Sequence, residues 1–114
     1  MLFRSRFGGG PSISAAQATQ LINREDALVV DVRDPGEYGV GHILGAKNVP
    51  LSRIDAVGSE IAPKRKDKPL IVYCDDGNRS GKAAAALRSQ GFGKAVSLTG
   101  GFSAWRQAGL PVEK

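Results

Sequence analysis

The segment that most constrains this chain is Pro69-Leu70-Ile71-Val72-Tyr73, an apolar run that leads through Cys74-Asp75-Asp76-Gly77-Asn78-Arg79-Ser80 into an alanine-rich stretch at 81–90. A short, continuous, β-branched run of this kind belongs to a strand covered on both faces, as in a parallel sheet. Residues 27–32 and 95–98 carry the same signature. Helical patterns fall between the runs. Ser14 can cap a helix with Ala15, Ala18, Leu21 and Ile22 on one face, ended by Asn23-Arg24-Glu25-Asp26. Asp34-Pro35 opens a short second helix, with the proline in the favoured first turn. Residues 46–49 read as a further strand and 51–61 as one or two helical turns. Gly91 terminates the 81–90 helix, and 102–107 form a last helix behind Gly100-Gly101. Strands alternating with helices require right-handed crossovers. The predicted class is α/β, with a mainly parallel central sheet of about five short strands and helices on both faces.

A chain of 114 residues, 41% hydrophobic and 24% charged, has the composition of one ordinary globular domain. We place that domain at 12–114, behind a flexible, basic, glycine-rich segment at 1–11 that contains Arg4 and Arg6. Sixteen Lys and Arg against eleven Asp and Glu give a net charge of +5, which alone would permit nucleic-acid binding. The basic residues are not gathered into a patch, since Lys64, Arg65, Lys66 and Lys68 form one solvated loop between Pro63 and Pro69. Only 6% of residues are aromatic, too few for a base-stacking platform. No nucleic-acid partner is expected, whereas small anionic substrates are compatible with the charge.

One cysteine, Cys74, excludes an intrachain disulfide, a dithiol redox pair and a multi-cysteine zinc site. No metal or cofactor is expected, and a reducing, cytoplasmic setting fits best. No stretch approaches the roughly 18 apolar residues of a membrane span. The apolar-basic opening, residues 1–7, reads more simply as a frayed tail than as the remnant of an upstream membrane anchor in a longer form. A monomer is expected.

Chemistry in open α/β sheets gathers beyond the carboxyl ends of the strands, where the pattern puts Cys74. A helix start offers unpaired amides and a positive dipole end, which stabilise a thiolate. Gly77 and Asn78 can take left-handed conformations that turn loop amides inward as an anion nest, and Arg79 adds a permanent charge. The competing reading is an inert buried thiol. Asp76-Gly77 alone would suggest a hairpin, but a helix follows it instead of a strand. The lone histidine, His42, reads as structural, and Trp105 as a core anchor. Asp31 and Arg33 can pair with each other or brace the loop. Ser80 can cap the helix or donate to the sulfur, and the sequence leaves both open.

Val30-Asp31-Val32-Arg33, Glu37-Tyr38, Gly41-His42-Ile43, Gly45-Ala46 and Asn48-Val49-Pro50 resemble the first signature of the rhodanese-like sulfurtransferases. Residues 70–88 resemble their strand-Cys-loop-helix active site. Gly100-Gly101-Phe102-Ser103-Ala104-Trp105 with Gly109-Leu110-Pro111-Val112 resembles their closing signature. The resemblance covers about residues 12–112, in the family's order. It implies that Cys74 attacks a sulfane sulfur donor, thiosulfate or a persulfide, and holds the sulfur as a persulfide. Asp75, Asp76, Gly77, Asn78 and Arg79 would cradle the substrate. Cyanide, a thiol or a protein would then take the sulfur. The alternative is a sulfur-relay or interaction module with little turnover on small molecules. An arsenate reductase or phosphatase is disfavoured, because those relatives resemble Cys-x5-Arg, while Cys74 to Arg79 is Cys-x4-Arg. Leu44 stands where many members have proline, which reads as a loop variation. Asp75 and Asp76 depart from the best-known thiosulfate enzymes. Each should oppose an anionic donor by roughly 1 kcal/mol. Cys74→Ser should cost little stability, as expected of a loop-end thiol with little packing.

Overall fold

The computed structural model describes residues 12–61, 64 and 66–114. The predicted flexible segment 1–11 and Arg65 of the basic loop lie outside the described residues. Helix α1 (Ala15–Glu25) starts as the sequence predicts. The Ser14 hydroxyl accepts the Gln17 amide while the Gln17 side chain accepts the Ser14 amide, and Asp26 closes the helix at φ 56°. Helix α2 (Pro35–Val40) has Glu37 reaching back to the Asp34 amide. The expected turns at 51–61 are a 3-10 turn, Leu51–Arg53, and a π-helical turn, Val57–Ile61.

Five strands form one parallel sheet in the order β1-β6-β5-β2-β4: β1 (Ser12–Ile13), β2 (Leu28–Asp31), β4 (Lys47–Asn48), β5 (Leu70–Tyr73) and β6 (Ala95–Leu98). Two more strands, β3 (His42–Ile43) and β7 (Val112–Glu113), pair antiparallel beside it. Each of these two strands and β1 is two residues long, too short for an alternating pattern to mark it in the sequence. Helix α3 (Asn78–Ser89) and helix α4 (Gly101–Gln107) complete the elements.

Strand alternation sorts the core into two layers. Val30, Leu70, Val72 and Ala95 face α3, where Ala83, Ala84 and Leu87 meet them, together with Ile54 and Val57 of the 51–61 segment. Val29, Ile71, Tyr73, Val96 and Leu98 face the other way, toward Ala18 of α1 and Phe102 and Trp105 of α4. Each large aliphatic side chain buried in this way contributes about 1.5–3 kcal/mol. The Trp105 indole N–H donates to the Pro111 carbonyl at 2.8 Å, so the anchor read from the sequence also ties down the chain before β7. All five strands of the parallel sheet run the same way. Their carboxyl ends therefore place Asp31, Asn48, Tyr73 and Leu98 along one rim.

Candidate active site

Three chain segments leave that rim side by side, after β2, β5 and β6. Cys74 follows β5 directly and belongs to the core layer that faces α3, fully buried. This corrects the expectation that it packs little, because alternation along β5 places it in line with Leu70 and Val72. The thiol donates toward the Asp76 carboxylate at 3.8 Å, and the sulfur accepts the Gly77 amide at 3.2 Å. Gly77 has φ 105°, a left-handed conformation that L side chains rarely adopt, and this turns its N–H toward the sulfur.

Only Gly77 takes the left-handed conformation expected of both Gly77 and Asn78. Asn78 is already the first residue of α3, and Arg79 the second. The helix starts at 78 where the sequence pattern suggested 81, because Asn78-Arg79-Ser80 carry weaker helix signals than the alanines behind them. The free loop is therefore Asp75-Asp76-Gly77, backed by the first turn of α3. Ser80 is buried and does neither of the things the sequence left open. Its hydroxyl donates to the Gly77 carbonyl at 3.2 Å and pins the turn.

Asp75 and Asp76, equivalent in the sequence, differ in the structure. The Asp75 carboxylate lies 3.3 Å from Arg33 Nη1 and 3.7 Å from Arg79 Nη2, so two guanidiniums compensate its charge. Asp76 is the carboxylate that faces the sulfur. Arg33 is itself buried and held on several sides. Asp31, also buried, receives its Nη2 at 2.8 Å and its backbone amide at 2.8 Å, and the Gly41 carbonyl accepts Nη2 at 2.7 Å. Burial would lower the Arg33 pKa. The Asp31 carboxylate outweighs that penalty and holds it above its ordinary value. The same Asp31 accepts from the Tyr73 hydroxyl, which burial and this bond push well above an ordinary phenol. Asp31 and Arg33 thus do both things the sequence allowed: they pair, and they brace the loop.

From the far side, α4 grips the loop backbone. The Phe102 amide donates to the Cys74 carbonyl at 2.8 Å and the Ser103 amide to the Asp75 carbonyl at 3.2 Å. A Cβ on Gly101, at φ 56°, would collide with the Cys74 carbonyl oxygen. The sequence pairs Gly100 with Gly101 but does not reveal that Gly101 must let α4 touch the cysteine peptide. Arg33 packs over the Phe102 ring at 4.5 Å, completing the brace.

His42 is buried and structural. Its Nδ1 lies 2.8 Å from the Tyr38 carbonyl, its Nε2 lies 3.3 Å from Glu113, and its ring stacks on Tyr38 at 3.7 Å. Among the described residues, no group of three or more His, Cys, Asp or Glu side chains is arranged to hold a metal, and no helix is long and apolar enough to cross a membrane.

A five-stranded parallel sheet carrying a cysteine at a strand end, in a tight loop that feeds a helix, defines the class. The Rhodanese-like domain matches residues 14–108, and the chain belongs to that family. The chain is 47% identical over 79 residues to "Uncharacterized protein YqhL" of Bacillus subtilis, a match covering 69% of this chain and 60% of that protein. It is 40% identical over 96 residues to "Thiosulfate sulfurtransferase GlpE" of Pseudoalteromonas translucida, covering 84% and 89%. Among solved structures, the rhodanese-like domain of the Anabaena Alr3790 protein superposes with a TM-score of 0.80 at 30% identity, over 91% of this chain and 79% of that one. The chain thus spans 60% of the length of YqhL, and 55% of that of slr1261 from Synechocystis, to which it is 42% identical.

Proposed function

We propose that this chain carries sulfane sulfur as a persulfide on Cys74, taking it from thiosulfate or another persulfide and passing it to a thiophilic acceptor. The observation that carries the reading is the Gly77 amide aimed at the sulfur at 3.2 Å, at the start of α3. An inert buried thiol has no need of a left-handed glycine that spends its amide on sulfur. A thiolate and its persulfide do, because the amide and the helix end stabilise the negative charge. With thiosulfate, the Cys74 thiolate forms a bond to the outer sulfur as the S–S bond of the donor breaks and sulfite leaves. Cyanide then takes that sulfur as thiocyanate and returns the thiolate, so charge and atoms balance in both steps.

In this reading Asp75, Asp76 and Gly77, with Asn78 and Arg79 from the first turn of α3, surround the incoming sulfur. The thiol is fully buried at rest, with the Asp76 carboxylate 3.8 Å from the sulfur, so donor entry requires the loop to open. Arg79 at rest lies 3.7 Å from Asp75 and 4.0 Å from Glu37, at the exposed side of the loop.

The Asp76 carboxylate beside the sulfur favours a second reading, a relay that accepts sulfur from a persulfide donor and uses thiosulfate poorly. Rates with thiosulfate and with an uncharged organic persulfide, each followed with cyanide as acceptor, separate the two readings. Turnover with both donors supports the enzyme, and turnover with the persulfide alone supports the relay. Turnover with neither sinks both.

A further inference from the structure

The sequence spreads its basic residues along the chain, and the fold gathers them. In a parallel sheet every strand is entered at one end and left at the other, so the segments before β2, β5 and β6 all reach the sheet at its amino end, away from Cys74. Those segments, residues 24–27, 62–69 and 88–94, contain seven Lys and Arg against three carboxylates, Glu25, Asp26 and Asp67. Residues 1–11, which lead into β1, add Arg4 and Arg6 and no carboxylate. All other residues together, the cysteine loop included, hold seven Lys and Arg against eight Asp and Glu. The whole surplus of positive charge therefore belongs to one end of the molecule.

Contacts bring these groups onto one face. The Lys94 carbonyl accepts the Leu70 amide at 3.3 Å, which sets Lys94 beside Pro69 and so next to Lys68. The Lys66 stem runs along Gly91, and its ammonium lies 5.9 Å from the centre of the Phe92 ring. Arg88 spends one guanidinium N–H on the Ala95 carbonyl at 3.1 Å. Lys64, Lys66, Lys68 and Lys94 are exposed, and none of them forms an ion pair among the described residues. Like charges grouped in this way repel one another until an anionic surface faces them.

We propose that this amino-end face docks on an anionic lipid surface. Four of its described cations are exposed lysines, whose compact ammonium groups answer a diffuse layer of headgroup charge and need no planar, two-pronged partner. Residues 1–7, Met-Leu-Phe-Arg-Ser-Arg-Phe, interleave apolar with basic side chains, and the chain passes from them into β1 at Ser12, in register with Ser97 of β6. Leu2, Phe3 and Phe7 suit the acyl boundary of a lipid layer and have no use against a nucleic acid or an acidic protein. An apolar segment beside a basic patch supplies the two signals that lasting attachment to a membrane surface needs. The excess of carboxylates in the rest of the chain sets the orientation, because that part is repelled by the same surface. Cys74 stands at the opposite end of β5 from Lys68, roughly 20 Å away at about 3.3 Å per residue, so a docked domain presents the cysteine loop to the solvent. None of this depends on the persulfide reading.

The test is sedimentation of the intact chain with vesicles of phosphatidylcholine alone and with vesicles holding roughly 30% phosphatidylglycerol, at about 0.05 M and 0.15 M salt. The chain should bind the anionic vesicles only, and less tightly at the higher salt. Each lysine held near such a surface strengthens binding about fivefold, so Lys66→Gln/Lys68→Gln/Lys94→Gln should weaken it at least tenfold, to about a hundredfold. Lys82→Gln/Arg106→Gln/Lys114→Gln removes the same charge from exposed positions elsewhere and should bind like the unaltered chain. Far-UV circular dichroism checks that both variants keep their fold. An equal loss in the two triple variants would mean that only net charge counts and overturns the proposal. So does equal binding to neutral vesicles, or no binding to anionic ones at the lower salt. Tighter retention on single-stranded RNA or duplex DNA at matched phosphate concentration would assign the face to a nucleic acid instead. Binding lost in Leu2→Ser/Phe3→Ser/Phe7→Ser but kept in the Lys66, Lys68 and Lys94 variant would assign it to the opening segment alone, and this too overturns the docking face.

Discussion

Replacing Asp76 with asparagine keeps size and turn preference while removing the carboxylate 3.8 Å from Sγ. A donor anion in contact with the sulfur comes to roughly 6 Å from that carboxylate. There two unit charges repel by about 0.7 kcal/mol at the dielectric of water and by about 1.4 kcal/mol at half of it. Removing about 1 kcal/mol that is already felt in the bound ground state lowers the thiosulfate KM roughly fivefold and leaves kcat nearly unchanged. The gain should shrink as salt screens it and be absent for an uncharged persulfide. Asp75 behaves differently, because Arg33 and Arg79 compensate its charge and it anchors the loop. Asp75→Ala should lower kcat for every donor alike. The assay is steady-state thiocyanate formation at low and high salt with both donors. An equal KM change for charged and neutral donors in Asp76→Asn, or a thiosulfate-selective gain in Asp75→Ala, would refute this division of labour.

Asp31→Ala leaves the buried Arg33 without its main counter-charge and should cost about 3–5 kcal/mol, read from the midpoint of urea denaturation. Gly101→Ala forces a Cβ against the Cys74 carbonyl at φ 56° and should cost about 2 kcal/mol or more, lowering Tm by roughly 10 °C in calorimetry. The Gly45 amide, with His42, holds Glu113 below its usual carboxylate range. A lowered folded pKa contributes stability above the unfolded pKa, here 4.5, that is lost as pH falls through the folded one. Amide exchange should therefore show the β3–β7 pairing loosening below about pH 4.5, and Glu113→Gln should abolish that pH dependence.

The parallel sheet was legible in the sequence where short, mostly apolar, β-branched runs mark strands buried on both faces, as in β2, β5 and β6, even though Asp31 ends the first and Ser97 lies inside the last. The position of Cys74 followed from that reading, since β5 is the clearest run and α3 the clearest helix. What stayed hidden depends on contacts between distant segments. Asp75 and Asp76 are neighbours of the same type, and only the approach of Arg33, 42 residues away, makes one a brace and leaves the other against the sulfur. The role of Gly101 likewise requires the Cys74 carbonyl beneath it, which no local pattern encodes. Strands β1, β3 and β7, two residues each, gave too few positions to show a period, whereas the equally short β4 lies inside the apolar-flanked run at 46–49.

The central claim is that sulfur rides on Cys74, and intact mass spectrometry tests it most directly. After incubation with thiosulfate or an organic persulfide and removal of excess donor, the account predicts one added sulfur atom on the chain. Cyanide should remove it with release of thiocyanate, and Cys74→Ser should never acquire it. A chain that gains no sulfur from any donor, or a Cys74→Ser chain that gains it equally, would contradict the account.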